Sequence, residues 1–321
     1  MQDKFKSRGI LFYDLTQPTP MFEPKDGDPT QPDLNKPLSG SRQTAGHGGF
    51  QGVRTAKSDL CAARGYFQWG NFFLDEHYAT HVDSQCHFVT TDPDLKIDDP
   101  DRRSSGEFTL DDLIGPVVYV DIRARVEREL ARNGGIPSPD PAITNFGDEG
   151  QATVRLADIE AVEPYIVERA FIVINTGWDR FFWGAPPENG WLHAYVNGLN
   201  HPGLTPEAAD WLIALEERKG IRINGIVADN IAVESGESLM GPGGSIQEET
   251  ARLNGPYLHA IGLQRGWKLV ENATNLGALA QHRHGTGTLI VGASRIAGLS
   301  GAPARVIAMF PVASAASPKP L

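Results

Sequence analysis

Residues Glu76 to Phe88 read EHYATHVDSQCHF and bring His77, His81, Asp83 and His87 within eleven positions of one another. Two imidazoles and a carboxylate are what holds a borderline divalent cation such as zinc or manganese. Spacing limits how such a site is built. On an α-helix, at about 100° per residue, His77 and His81 share a face while Asp83 and His87 point roughly 80–160° away. On a straight strand all four share a face, yet His77 and Asp83 then lie roughly 20 Å apart at about 3.3 Å per residue, against ligand bonds of about 2 Å. The segment must therefore bend. The expectation is a strand end followed by a turn near Ala79 and Thr80, with Thr80 free to hydrogen-bond a ligand. An isolated His-x-x-x-His is usually a pair of surface or core histidines; Asp83 and His87 set this one apart.

A second pair lies far along the chain. His259 and Glu271 fall within LHAIGLQRGWKLVEN, where a helix-like run meets Gly266 and then an apolar, strand-like run. With both halves in view the sequence resembles the cyclase family of metal-dependent hydrolases, which includes bacterial kynurenine formamidases (arylformamidases) and isatin hydrolases. That family carries His-x-Gly-Thr-His-x-Asp-x-Pro-x-His-Phe early and a late His and Glu at this separation. The resemblance extends to YDLTQPTPMF (13–22), FIVINTGWDRFF (171–182), HPGLTPEAADWL (201–212), ADNIAVES (228–235) and GAPARVIAMFP (301–311). It implies a compact, single α/β domain with β/β/α layering of the arylformamidase type. Residues 23–70 and 131–152 stand as loop insertions and residues 314–321 as a flexible tail.

The resemblance also implies roles. His77, His81 and Asp83 hold a zinc or manganese ion, and Asp83 and Glu271 bridge to a second one held also by His259, although some family members manage with one. His87 becomes a proton donor and acceptor rather than a ligand. The activity implied is hydrolysis of a carbon–nitrogen bond in a small amide, formamide, lactam or cyclic imide, by a homodimer or homotetramer. Three departures bear on the substrate. Ala79 stands where the family has Gly, Gln85 where it has Pro, and Phe22 where kynurenine formamidases place a substrate-stacking Trp.

The chain as a whole agrees with a globular enzyme. Its 321 residues, 40% hydrophobic and 21% charged, can bury a large core, and a formal charge of −11 without a basic cluster argues against nucleic acid. Residues 1–9 lack an apolar signal core, and no apolar run approaches the roughly 18 residues of a membrane span; a cytoplasmic location is expected. Cys61 and Cys86 are too few for a disulfide framework, and Cys86 reads as a structural thiol.

Further elements follow from pattern. ILFYDLT (10–16) is a first strand, and the Pro-, Gly- and Asp-rich stretch after it is a loop in which His47 and Phe50 either close over a substrate or sit on the surface. FTLDDLIG opens with Thr109 and Asp112 spaced as a capping box. PVVYVDI, AFIVINTG and INGIVA are strands, VRLADIEAVEPYI is a helix, and Thr205 caps a helix that ends at Gly220. Alternating strands and helices indicate an α/β architecture. Trp178, Phe181, Phe182, Trp183, Trp191 and Tyr195 crowd one loop, so Trp178, Phe182 and Trp183, with Phe22, are candidate substrate contacts; subunit packing is the alternative. His193, His201, His282 and His284 match no family ligand, and Asp229 and Glu234 are expected to hydrogen-bond ligands or backbone. Two other readings of the metal ligands stay open: the facial triad of a non-haem iron oxygenase, and a non-catalytic, metal-stabilised binding protein with a closed coordination sphere.

Overall fold

The computed structural model describes residues 4–17, 75–148, 150–182, 194–236, 256–282 and 284–312 in full, and the backbone alone for 22–25, 28–37, 52–58 and 67–73. In chain order the described strands are β1 (Lys4–Ser7), β2 (Ile10–Asp14), β3 (Phe22–Lys25), β4 (Asp28–Pro37), β5 (Gly52–Ser58), β6 (Phe67–Phe73), β7 (His81–Asp83), β8 (Ile114–Asp121), β9 (Phe171–Asn175), β10 (Gly225–Ala228), β11 (Lys268–Glu271), β12 (Thr288–Ala293) and β13 (Gly301–Pro311). Five described α-helices accompany them: α1 (Leu110–Leu113), α2 (Arg123–Ala131), α3 (Leu156–Glu160), α4 (Pro206–Lys219) and α5 (Tyr257–Gln264).

The central sheet runs β1-β2-β13-β12-β8-β9-β10-β11-β7, and β7 pairs also with β13. Those two pairings close seven strands, β13-β12-β8-β9-β10-β11-β7, into a ring, with the β1–β2 hairpin attached to the far half of β13. The mixed α/β class expected from the sequence is the one observed, and its strands form a barrel, which the word layered does not describe. Three residues make the seam. Asp83 of β7 lies opposite Leu269 on one side and Gly301 on the other, and His81 lies opposite Glu271 and Pro303.

Side-chain alternation along the strands then sorts the core. Val82, Val117, Val173, Val227, Val270, Leu289 and Val306 belong to one buried cluster that fills the ring. Their neighbours Val118, Ile172, Ile226 and Leu269 belong to a second cluster, outside the ring, with Leu212 and Leu215 of α4 and Leu258 and Leu263 of α5. Each such side chain contributes about 1.5–3 kcal/mol on leaving water, so both faces of the wall are held. Because Val82 and Val270 point inward, His81, Asp83 and Glu271 point outward, under α5. The ring interior is apolar packing; the polar group of His81, Asp83 and Glu271 sits against its outer wall.

Local signals behave as expected where the chain is regular. Thr109 N and Oγ1 both donate to Asp112, and the Thr205 hydroxyl accepts from Ala208 N at the start of α4. Gly220, at φ 61°, closes that helix in the left-handed conformation that glycine adopts without strain. The stretch 23–70 differs from its expectation as loop: its backbone includes two antiparallel hairpins, β3–β4 and β5–β6. Proline is tolerated there because each strand of a two-stranded sheet keeps an unpaired edge. After the last residue of α2, the described residues of 131–152 lie mostly in turns and bends pinned to the core, with Phe146 fully buried and the Asn200 side chain donating to Ser138 O and Thr144 O. His47, Phe50, Cys61 and residues 314–321 lie outside the described residues. No described helix is long and apolar enough to cross a membrane.

Candidate metal centre

The bend that spacing requires lies at Glu76–Thr80, ahead of β7, so the strand carrying His81 and Asp83 follows the turn instead of leading into it. Ala79 adopts φ 55°, a left-handed conformation that favours glycine and accounts for glycine at this place in the motif of the family it resembles. Thr80 does not reach a ligand. Its hydroxyl donates to Asn272 O at 2.6 Å and accepts from Gln17 N at 2.7 Å, which ties the bend to the end of β11 and to the segment after β2.

The bend, β7, α5 and β11 together assemble one cluster. His77 Nδ1 lies 2.8 Å and His81 Nε2 3.3 Å from Asp83 Oδ1, and His259 Nε2 lies 3.5 Å from Asp83 Oδ2. Glu271 joins from β11, 3.6 Å from His81 Nε2 and 3.5 Å from His259 Nε2. Three sets have ligand atoms within 4.8 Å of one another: His77, Asp83 and His87; His81, Asp83 and Glu271; and Glu234, His259 and Glu271. All five residues expected as ligands meet here, and His87 lies beside them, its ring 4.0 Å from that of His77 and 5.7 Å from that of His259.

Hydrogen bonds decide which imidazole nitrogens face inward. A backbone carbonyl only accepts, so His81 Nδ1–H donates to Ala79 O at 2.9 Å and leaves Nε2 toward Asp83 and Glu271. His259 Nδ1–H donates to the Glu234 carboxylate at 2.8 Å, and its Nε2 likewise turns inward. Glu234 thus takes the ligand-orienting place that a carboxylate holds beside metal-bound histidines. Val233 N donates to Glu271 Oε1 at 3.2 Å and aims that carboxylate.

The donor set fits a cation. Asp83 is 0% exposed, and neither of its oxygens takes part in a hydrogen bond although three imidazole nitrogens surround them. Buried carboxylate oxygens are otherwise satisfied, and ring nitrogens converging on them out of line mark the place of an ion. Burial alone would push Asp83 up, but His81, His259 and His77 hold it well below the usual carboxylate range. Burial and the neighbouring Asp83 push Glu271 well up. Burial opposes protonation of His259, but Glu234 and Asp83 outweigh it and raise that imidazole well above its ordinary value. Without metal the cluster is held together by protons that a divalent cation would displace.

Gly301 makes room for His77. A Cβ there would lie 2.5 Å from His77 Cε1 and 2.9 Å from Nε2, because the ring packs against the β13 backbone at the residue opposite Asp83. Gly301→Ala should displace the imidazole and weaken metal binding by about 10–100-fold, the range found when a ligand loses its orientation. Isothermal titration with zinc or manganese checks this; unchanged affinity would place His77 outside the coordination sphere.

Other candidates fall elsewhere. Trp178 is fully buried, packed on Phe146 and Phe181 with Nε1 donating to Tyr195 O at 2.8 Å, and Phe182 packs on Tyr195. Each has the surroundings of a core side chain rather than of a substrate contact. Aromatic surface clustered in a loop has the same sequence signature in either setting, and burial in the core accounts for these two side chains. The Phe22 side chain, Trp183, Trp191 and His193 lie outside the described residues. Asp229 accepts from Thr176 N and Oγ1, Gly177 N and Trp178 N; burial and Asp179 raise it to about 7. His201 is enclosed beside Pro202 O, within electrostatic reach of Glu234 but in none of the three ligand sets, His282 bonds Tyr13 Oη, and His284 stacks on Tyr165. Half-buried Cys86 contacts Ser84 Oγ at 3.3 Å and joins no ligand set. Glu76 and Ser300, for which residue type and spacing predict no role, also reach the centre. Glu76 adjoins the first ligand, and Ser300 immediately precedes the stretch 301–311, which is the one signal that pointed near it.

Comparison with known proteins bears on the fold and the family. A search of curated proteins finds no match. Among solved structures, isatin hydrolase A from Labrenzia aggregata bound to benzyl benzoate is similar over 94% of each chain, at 20% identity and a TM-score of 0.58. Isatin hydrolase A from Ralstonia solanacearum is similar over 94% of this chain and 92% of its own, at 20% identity and a TM-score of 0.56. A structure described as a novel cyclase gives 16% identity and a TM-score of 0.53, over 92% and 87%. At these identities the likeness is one of fold. The sequence profile of the family described as "Putative cyclase" matches residues 13–235, more than half of the protein, and the chain belongs to that cyclase family.

Proposed function

We propose that the protein is a metal-dependent hydrolase that opens the carbon–nitrogen bond of a small amide, the class being aryl amides, formamides, lactams and cyclic imides. The observation that carries this is Asp83, wholly buried, its two oxygens free of hydrogen bonds among the nitrogens of His77, His81 and His259. His77, His81 and Asp83 would hold one ion, and His259 and Glu271, with Asp83 shared, a second. A divalent cation supplies Lewis acidity, polarising a carbonyl and lowering the pKa of water.

The chain's own residues supply the rest. Burial lowers the His87 imidazole to about 4, so it is neutral near pH 7. In that form it accepts the proton of the attacking water as the oxygen–carbon bond forms, and delivers it to the nitrogen as the carbon–nitrogen bond breaks. Glu234 and the Ala79 carbonyl keep His259 and His81 oriented throughout.

The test is an assay of purified, zinc- or manganese-loaded protein with isatin-like lactams, cyclic imides and N-formyl aryl amines. The isatin hydrolases that share its fold make lactams the first class to try. Turnover under strict anaerobiosis excludes an oxygenase, and silence on every amide and lactam contradicts the proposal. His87→Ala should keep its metal and lose about 10²–10⁴-fold in turnover, the usual worth of a positioned acid–base group. Metal content measured alongside decides the role, since loss of the ion together with activity would make His87 a ligand.

A further inference from the structure

We propose that Ser300 and Glu76 act as a pair that fixes the tautomer of His77 and so determines that Nδ1, not Nε2, is its metal-binding atom. The inference rests on the metal-centre assignment above and concerns residues given no role there. His77 Nε2 lies 3.0 Å from Ser300 Oγ, and Ser300 Oγ lies 2.5 Å from Glu76 Oε1. A serine hydroxyl has a single proton, and a carboxylate only accepts. The proton therefore goes to Glu76, the hydroxyl oxygen is left to accept, and the partner that must donate to it is His77 Nε2–H. In the neutral ring the lone pair then lies on Nδ1, the nitrogen 2.8 Å from Asp83 Oδ1.

The relay is built in place. Ser84 N and Ser84 Oγ both donate to Ser300 O, at 2.9 and 2.7 Å, which anchors Ser300 to the residue directly after Asp83. Gly301, next in sequence, provides the bare backbone on which the His77 ring lies. Each inward-facing imidazole thereby has its own orienting acceptor: a backbone carbonyl for His81, the Glu234 carboxylate for His259, and a hydroxyl polarised by Glu76 for His77. His77 alone of the three binds through Nδ1, so it alone needs an acceptor on the Nε2 side.

The direct test is a long-range ¹H–¹⁵N correlation spectrum of the zinc-loaded protein, in which the ion takes the place of any proton between Nδ1 and Asp83 and the His77 tautomer is read independently of any hydrolysis. Wild type should show Nε2–H with Nδ1 unprotonated. Ser300→Ala should give a mixed or reversed tautomer and weaken zinc binding by about 10–100-fold, with Ser300→Thr, which keeps the hydroxyl, restoring both. Glu76→Gln should shift the tautomer the same way, because its amide can donate to Ser300 Oγ and release the hydroxyl proton toward His77. A wild-type spectrum showing Nδ1–H overturns the proposal even if every variant fails to fold. So does a Ser300→Ala protein with unchanged tautomer and affinity. Absence of amide hydrolysis in the wild type would count against the hydrolase reading and leave this result standing.

Discussion

Asp83→Asn is expected to strip the protein of its ion and to lower turnover by roughly 10³-fold or more, since a cation's charge stabilisation is worth several kcal/mol and about 1.4 kcal/mol is tenfold. The substitution keeps the volume and one oxygen but removes the charge on which three imidazoles converge. Asp83 also stands at the ring seam, where its backbone pairs with Leu269 and Gly301. Those ladder bonds do not depend on the side chain, so the variant should fold. Metal content by mass spectrometry and a circular dichroism melt separate the two effects. A folded Asp83→Asn protein that still carries stoichiometric metal would show that this carboxylate is not the hub.

The second large effect is on stability. A ligand bound to the native state alone stabilises by about 2.7 kcal/mol at one hundred times its Kd, so chelation should lower the melting temperature by several degrees and abolish activity. The sign follows from the site: three buried carboxylates, Asp83, Glu234 and Glu271, face one another through His259, and protons are a weaker bridge than a divalent cation. Zinc or manganese added back should restore both properties. The Asp83→Asn protein should melt at the same temperature with and without chelator. A wild-type melt indifferent to chelator would contradict the assignment.

Much of this is legible in the sequence, for reasons that particular residues make plain. The ligands can be named because metal chemistry restricts residue type and because the impossible helix and straight-strand geometries force a bend. The helix at 206–219 is legible from Thr205, Pro206 and Gly220, each a local signal. What local signals do not carry is closure. Val82 looks like any buried valine, and nothing in its neighbourhood says that three residues of β7 join β11 to β13. The order of bend and strand is hidden for the same reason, since the tie from Thr80 to Asn272 spans 192 residues. Trp178 and Phe182 mislead because an aromatic cluster has one sequence signature whether it lines a pocket or fills a core. Ser300 gives no signal beyond its place just before the stretch 301–311, because a serine's role depends on which side chains the fold brings to it.

β7 of the ring, the bend before it, and the α5–β11 unit are expected to meet around one cation position. An anomalous-difference map from crystals of the protein loaded with zinc or manganese tests that directly. The expected result is a peak within about 2–2.5 Å of Asp83 and of nitrogens from His77 and His81, with Glu271 and His259 facing the same position or a second peak beside it. A peak away from Asp83, or none in protein that retains stoichiometric metal, would contradict it.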